Sequence, residues 1–337
     1  MITDDPPTPR AEPVSPRRPS LWTRLAVVAV VGLGAAALST TMRHAITLDG
    51  VPVGDIGPPL VGLRLALSGS NPYAIELATA PLAQYPVTTM VVLAPLLLLP
   101  VAWVAPAFCG LSTAGLAWAL TTGGAWWRLA ALLSVPYLMA MYSVQWSPLL
   151  TAAMLAPALL PLAVVKPQLG IALAAGGRWS WRTIAAALTI VVVSLLVRPG
   201  WPLEWWGSGT PGLYDARVPL LVVPGFVLAA AILFVRSWRG RLVLAMALVP
   251  QRFWYDQLLL FVVPSTWRQM MALLVTTWIG ASWCLYAGVW NPRSGTQVPE
   301  VWTAVVLTCH LPALALVAWQ WWSQMRRSRD GGNVSEP

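Results

Sequence analysis

Residues 301–322, VWTAVVLTCHLPALALVAWQWW, hold no charged side chain. They run for about the length a helix needs to cross the roughly 30 Å of hydrocarbon in a bilayer. Such a run reads as a membrane span, and runs of the same kind recur at 87–110 and 218–235. Composition agrees: of 337 residues, 57% are hydrophobic and 10% charged, with mean hydropathy +0.66. A soluble domain carries about a quarter charged residues. A soluble enzyme is excluded, and an all-α polytopic transmembrane bundle, multi-pass in the cell membrane, is expected.

Charge distribution orients the bundle. Residues 1–20 are rich in proline and charge and contain no apolar run, so they read as a disordered cytoplasmic tail. The first span follows from residue 21 to about 42. It is longer than the roughly 7–15 apolar residues of a signal peptide and reads as an uncleaved anchor. Arg178 and Arg182, then Arg236, Arg239 and Arg241, then Arg326, Arg327 and Arg329 form basic clusters without an acid among them. By the positive-inside rule these clusters are cytoplasmic. Outside the tails the acids are Asp49, Asp55, Glu76, Glu204, Asp215, Asp256 and Glu300. Alternating spans put all of them on the other face, in loops 44–86, 199–218, 251–256 and 289–300. Both termini come out cytoplasmic, with a transmembrane domain over 21–325 and a tail over 326–337. The count is about 10 spans, or 12 if 87–177 holds five rather than three.

Two places interrupt the apolar pattern. Segments 242–250 and 258–264 are each about half a span, and Gln251-Arg252-Phe253-Trp254-Tyr255-Asp256-Gln257 lies between them. Lys166-Pro167-Gln168 breaks the run 160–177. Polar non-helical backbone at membrane depth needs cover from protein or water. Such breaks mark a substrate site or, on the plainer reading, a tilted pair of ordinary helices. Lys166 is also the one lysine among 21 basic residues. A compact ammonium fits a narrow pocket where a planar guanidinium does not; the plainer alternative is a span anchor.

Other chemistries leave no trace. Cys109, Cys284 and Cys309 are far apart with no CxxC spacing, and His44 and His310 are isolated, so neither a disulfide framework nor a zinc site follows. A divalent metal is not excluded, but no ligand cluster for one is visible and no cofactor is evident. There is no Gly-rich phosphate loop and no Asp-x-Asp for a nucleotide sugar. The formal charge of +9 belongs to cytoplasmic loops rather than to a nucleic-acid footprint. Tryptophans at span ends, such as Trp126, Trp127, Trp201, Trp205, Trp206, Trp321 and Trp322, form an interfacial belt.

The longest external loop carries Gly54-Asp55, an apolar stretch from Pro59 to Leu67 that includes Arg64, then Ser68-Gly69-Ser70-Asn71-Pro72-Tyr73, and closes with Tyr85-Pro86. Further along come Ser143-Val144-Gln145-Trp146-Ser147-Pro148-Leu149-Leu150, Val165-Lys166-Pro167-Gln168-Leu169-Gly170, Trp201-Pro202-Leu203-Glu204-Trp205 and Tyr255-Asp256-Gln257-Leu258-Leu259-Leu260. In this order the segments resemble the polytopic family-87 glycosyltransferases of the GT-C superfamily over roughly residues 50–265. That family's first external loop reads as an aspartate, an amphipathic helix, Gly-x-Asn-Pro-Tyr and Tyr-Pro-Pro, with the aspartate about 16 positions before the asparagine. Two departures stand out: Gly57-Pro58-Pro59 should delay or break the helix after Asp55, and Tyr85-Pro86-Val87 lacks the second proline.

The resemblance implies an inverting membrane glycosyltransferase of GT-C fold, working on the external face. It would take a hexose or pentose, mannose foremost, from a polyprenyl-phosphate donor to a lipid or glycan acceptor. Asp55 matches the family's general base, which a hydroxyl nucleophile requires. The departing phosphate needs cations, and Arg43, Arg64, Arg198, Arg217, Arg252 and Lys166 are candidates. Gln145, Gln168, Tyr85, Tyr255 and Asp256 complete the expected substrate-binding set. From the residues alone, Asp55 reads first as a turn residue of a solvated loop, and it is the family register that favours the base. Asp256 is a second acid, a sugar-hydroxyl ligand or a partner for Arg252. Asn71-Pro72-Tyr73 is a turn and interface anchor. The rival readings are a transporter or lipid flippase, with paired charges at mid-membrane depth, and a non-catalytic membrane subunit.

Overall fold

The computed structural model describes residues 20–42, 46–74, 76–77, 80–81, 85–208, 217–251, 253–290 and 299–329. The tail 1–19, Arg43, His44, Asp215, Arg252 and residues 330–337 lie outside them, as do parts of the four expected external loops. The chain is mostly helical. Its helices are α1 (Leu21–Thr41), α2 (Gly57–Leu67), α3 (Val87–Leu93), α4 (Val101–Leu120), α5 (Val135–Tyr142), α6 (Ser147–Leu155), α7 (Pro167–Gly176), α8 (Trp181–Val197), α9 (Trp201–Gly207), α10 (Trp238–Leu248), α11 (Phe253–Asp256), α12 (Trp267–Tyr286), α13 (Pro299–Val305) and α14 (Leu311–Arg329). Two antiparallel two-residue ribbons, Thr47–Leu48 with Val51–Pro52 and Glu76–Leu77 with Ala80–Pro81, decorate the first loop.

Three helices are long and apolar enough to cross a membrane: Leu21–Thr41, Val101–Leu120 and Glu300–Ser328. The pair α8 and α9, bent by 83°, makes a fourth if counted as one span. Two apolar runs read from the sequence as spans are not continuous helices. Run 87–110 breaks at Leu99-Pro100, both in extended backbone, because proline has no N–H to extend the preceding turn. Run 218–235 divides into the 3-10 segments Pro219–Leu221 and Gly225–Phe234 on either side of Pro224. Run 301–322 stays helical and carries a π-helical turn over Val306–His310. The expected C-terminal tail from 326 is helix as far as Arg329, since nothing before Gly331 stops it and cations suit a helix C-terminus.

The first span docks antiparallel on α4. Arg24, near the start of α1, donates to the Trp118 carbonyl at the end of α4 and to Thr122 Oγ1 at 2.9 Å, while its guanidinium stacks 3.6 Å from the Trp118 ring centroid. Midway, a Cβ on Gly32 would lie 3.1 Å from the Gly110 carbonyl and 3.0 Å from Ala114 Cβ. Close backbone approach through small residues is how apolar helices pack when lipid offers no hydrophobic driving force. Helices α4, α5, α6, α7, α10 and α12 surround a core in which Trp146, Trp254 and Trp302 are fully buried. Of the tryptophans expected at span ends none is fully buried: Trp127 packs against the core, while Trp206 is 72% exposed.

Candidate functional site

Four joints between these elements meet at one place. The first is the 3-10 turn Gly54–Ile56, which leads directly into α2. Gly57, Pro58 and Pro59 open that helix and do not break it, because prolines in a first turn lack only N–H groups that would be unbonded anyway. The second is the turn Ser143–Trp146 between α5 and α6. Val144 there has φ +53°, a conformation that costs a β-branched residue about 1–3 kcal/mol and persists only where its surroundings enforce it. The enforcing contact is Gly54, itself at φ +64°; a Cβ on it would lie 2.9 Å from the Ser143 carbonyl and 2.6 Å from Val144 Cγ2. With nothing in the way, the Asp55 amide donates to the Ser143 carbonyl at 3.0 Å.

The third joint is Lys166, whose non-helical backbone (φ −138°, ψ 84°) lies between the 3-10 segment Pro157–Val165 and α7. The break frees the carbonyls of Val164 and Val165. Thr88 Oγ1 donates to the first at 2.7 Å and Thr89 Oγ1 to the second, which gives the exposed backbone the cover it needs. The fourth joint separates α10 from α11. Gln251 pairs with Arg217 as an isolated bridge, N to O at 3.0 and 3.1 Å, and its side-chain amide donates to the Met246 carbonyl at the end of α10. Both interruptions seen in the sequence are therefore real breaks.

Side chains from these joints form one connected network. Gln145 Nε2 donates to Asp55 Oδ2. Gln145 Oε1 accepts from Lys166 Nζ at 3.4 Å and from the Tyr85 hydroxyl at 3.5 Å, and these donors fix which end of the amide faces Asp55. Lys166 Nζ also donates to Asp256 Oδ1 at 2.6 Å and sits 4.7 Å from the Tyr255 ring centroid. Gln145 and Lys166 are 1% and 2% exposed and Asp256 is fully buried, whereas Asp55 is only half-buried. The arrangement is a carboxylate at the mouth of a buried polar chain, with an ammonium two hydrogen bonds away. Such a carboxylate can take a proton from a bound hydroxyl, and the chain behind it holds its orientation.

Asp55, Gln145, Lys166, Tyr85, Tyr255 and Asp256 thus come together. Asp256 does not lie in a solvent-facing turn at 251–256, because α11 folds that segment inward onto α5. Its partner is Lys166, while Arg252 lies outside the described residues. Arg64 is elsewhere: exposed on α2, it reaches Asp49 at 3.6 Å. Arg198 is engaged with Glu204 at 2.9 Å and with the Gly69 carbonyl at 2.9 Å. Gln168, half-buried in the first turn of α7, makes no hydrogen bond to the network. Asn71-Pro72-Tyr73 is a turn and anchor: Asn71 Oδ1 accepts from the Tyr73 amide at 2.9 Å, and the Tyr73 hydroxyl donates to the Tyr85 carbonyl at 3.3 Å. Burial, then the charge of Glu204, pushes the Tyr73 phenol well above its ordinary range. Thr88 and Thr89 were not foreseen; two hydroxyls directly after Tyr85-Pro86-Val87 were the available signal.

Among the described residues no group of three His, Cys, Asp or Glu side chains is placed to hold a metal ion. Protein-family models, curated proteins and solved structures give no match to this chain.

Proposed function

We propose that this chain is an integral-membrane glycosyltransferase of about ten spans, both termini cytoplasmic, that takes a sugar from a polyprenyl-phosphate donor. Asp55 accepts the proton of the acceptor hydroxyl as that oxygen attacks the anomeric carbon. The bond from that carbon to the phosphate oxygen breaks, the phosphate leaves on its lipid, and configuration inverts. One observation carries the reading: residues from four distant segments converge on a half-buried carboxylate that a buried amide holds in place. Gln145, Lys166 and Asp256 act as positioning residues, and the half-buried Asp55 meets the substrate. Purified protein in lipid, given a synthetic polyprenyl-phosphate mannose and membrane lipid extract as acceptor, should form a new glycosylated product; no product with mannose, other hexoses or arabinose contradicts the proposal.

A second reading has its own support. Lys166 and Asp256 form a buried ion pair between two helix breaks, and paired charges at such breaks are what an ion-coupled transporter uses. Proteoliposomes separate the two: a transporter moves solute down an imposed ion gradient without making a new covalent product.

A further inference from the structure

A second polar site lies away from the Asp55 network, between the start of α10, the start of α12 and the last turns of α14. It is a pocket of about 230 Å³ lined by Arg239, Ser265, Thr266, Gln269, Gln320, Ser323, Gln324 and Arg327, with Trp319 at its edge. Two arginines and no carboxylate line it. The basic residues around it are put to different uses. Arg241 spends its donors on protein carbonyls, at 2.7 Å to Ala175 and 3.2 Å to Val235. Arg239 Nε, by contrast, is buried with no hydrogen-bond partner, which leaves the charged group short of an acceptor, and the guanidinium carbon lies 4.7 Å from the Trp238 ring centroid.

The neutral groups point the same way. Gln269 Oε1 accepts from the Ser265 amide at 2.8 Å, from Ser265 Oγ at 2.9 Å and from Gln320 Nε2 at 2.9 Å. Its oxygen is thereby turned onto protein donors, and its NH₂ is left to donate. Gln269 also stands in the first turn of α12, a twenty-residue helix capped by Thr266, whose positive end favours an anion. Guanidiniums, an amide NH₂ and a helix N-terminus without a countercharge are the donor set of a phosphate site. Trp319, 68% exposed, lines its edge, which suits a group arriving on a lipid.

We infer that this pocket binds a phosphate-bearing anion, foremost the headgroup of an acidic phospholipid. Arg239 and Arg327 belong to the basic clusters whose sequence pattern marks the cytoplasmic side, so the site faces the leaflet opposite Asp55 and does not depend on how Asp55 is read. The test counts bound ligand by native mass spectrometry on full-length protein in a neutral detergent, titrated in parallel with short-chain phosphatidic acid, the matching phosphatidylcholine and inorganic phosphate. Phosphatidic acid should bind saturably at one site, about tenfold or more tighter than phosphatidylcholine, and Arg239→Gln and Arg327→Gln should each weaken it about tenfold. Arg327 is exposed, so its variant keeps the unliganded Tm; Arg268→Gln, a nearby exposed cation outside the pocket, should leave binding unchanged. Saturable binding of inorganic phosphate, lost in the same two variants, supports the site and assigns it a free anion. Equal binding of the two lipids without phosphate binding, or binding that survives both arginine substitutions, overturns the inference.

Discussion

Lys166 Nζ and Asp256 Oδ1 lie 2.6 Å apart, and each belongs to a segment where a helix is broken, 90 residues from the other. Neither is more than 2% exposed. Each charge is tolerable inside the protein only because of the other. Lys166→Met, which strands Asp256, should therefore cost about 3–5 kcal/mol, seen as a Tm lower by several degrees in detergent. Lys166→Met with Asp256→Leu should regain most of that loss, since the stranded charge is gone. A double variant no more stable than the single would contradict a stabilising role confined to the pair.

Gln145 ties this pair to Asp55, so Gln145→Leu, read at matched Tm because it also removes the acceptor of Lys166 and Tyr85, tests positioning. The variant keeps the apolar packing of a 1% exposed side chain and removes the donor to Asp55 Oδ2. Under the proposed reaction its kcat should fall about tenfold to a hundredfold with KM little changed. A rise in KM alone would assign Gln145 to substrate binding instead.

Gly54 sets where Asp55 stands. Gly54→Ala must adopt φ +64° and push a methyl group toward the Ser143 carbonyl. A loss of about 1–3 kcal/mol is expected, with turnover falling as the Asp55 amide parts from Ser143. Stability and turnover measured on the same preparation check it; wild-type values for both would show that the close approach does not position Asp55.

Tyr73 gives a pH dependence of known sign. Its phenol is pushed up by burial in the folded chain, whereas an unfolded chain ionises it near the ordinary value of about 10. Stability from this group is intact below about 10 and declines as pH rises beyond it, because the unfolded state loses the proton first. Tyr73→Phe lacks that share of the decline, so its Tm should converge on the wild-type Tm between pH 9 and 11 after starting slightly lower for want of the bond to Tyr85. Parallel pH curves would contradict it.

Much of the site was legible in the sequence because its residues violate local rules. A lone lysine, two polar interruptions in apolar runs and a glycine before an aspartate are each costly unless used, and Lys166, Asp256, Gln145 and Asp55 do converge. Convergence itself was not legible: nothing local says that Gln251-to-Gln257 folds inward and does not turn through solvent. Arg64 faces Asp49 in space and not the network, a placement that no local signal in its loop discloses. The fold was legible as helical and apolar, whereas the docking of Arg24 on the end of α4 was not, because nothing local names its partner. Helix continuity was overestimated at 87–110 and 218–235, where hydropathy averages over Pro100 and Pro224 and proline geometry does not.

Under the proposed reaction Asp55 is the base, and Asp55→Asn probes that role with almost no change in size. Asparagine keeps the size and the contact with Gln145 while removing the ability to take a proton. Turnover from a synthetic polyprenyl-phosphate sugar, in lipid and at matched expression and Tm, should drop about 10²- to 10⁴-fold. Turnover equal to wild type would mean that the carboxylate at position 55 does not act in the reaction.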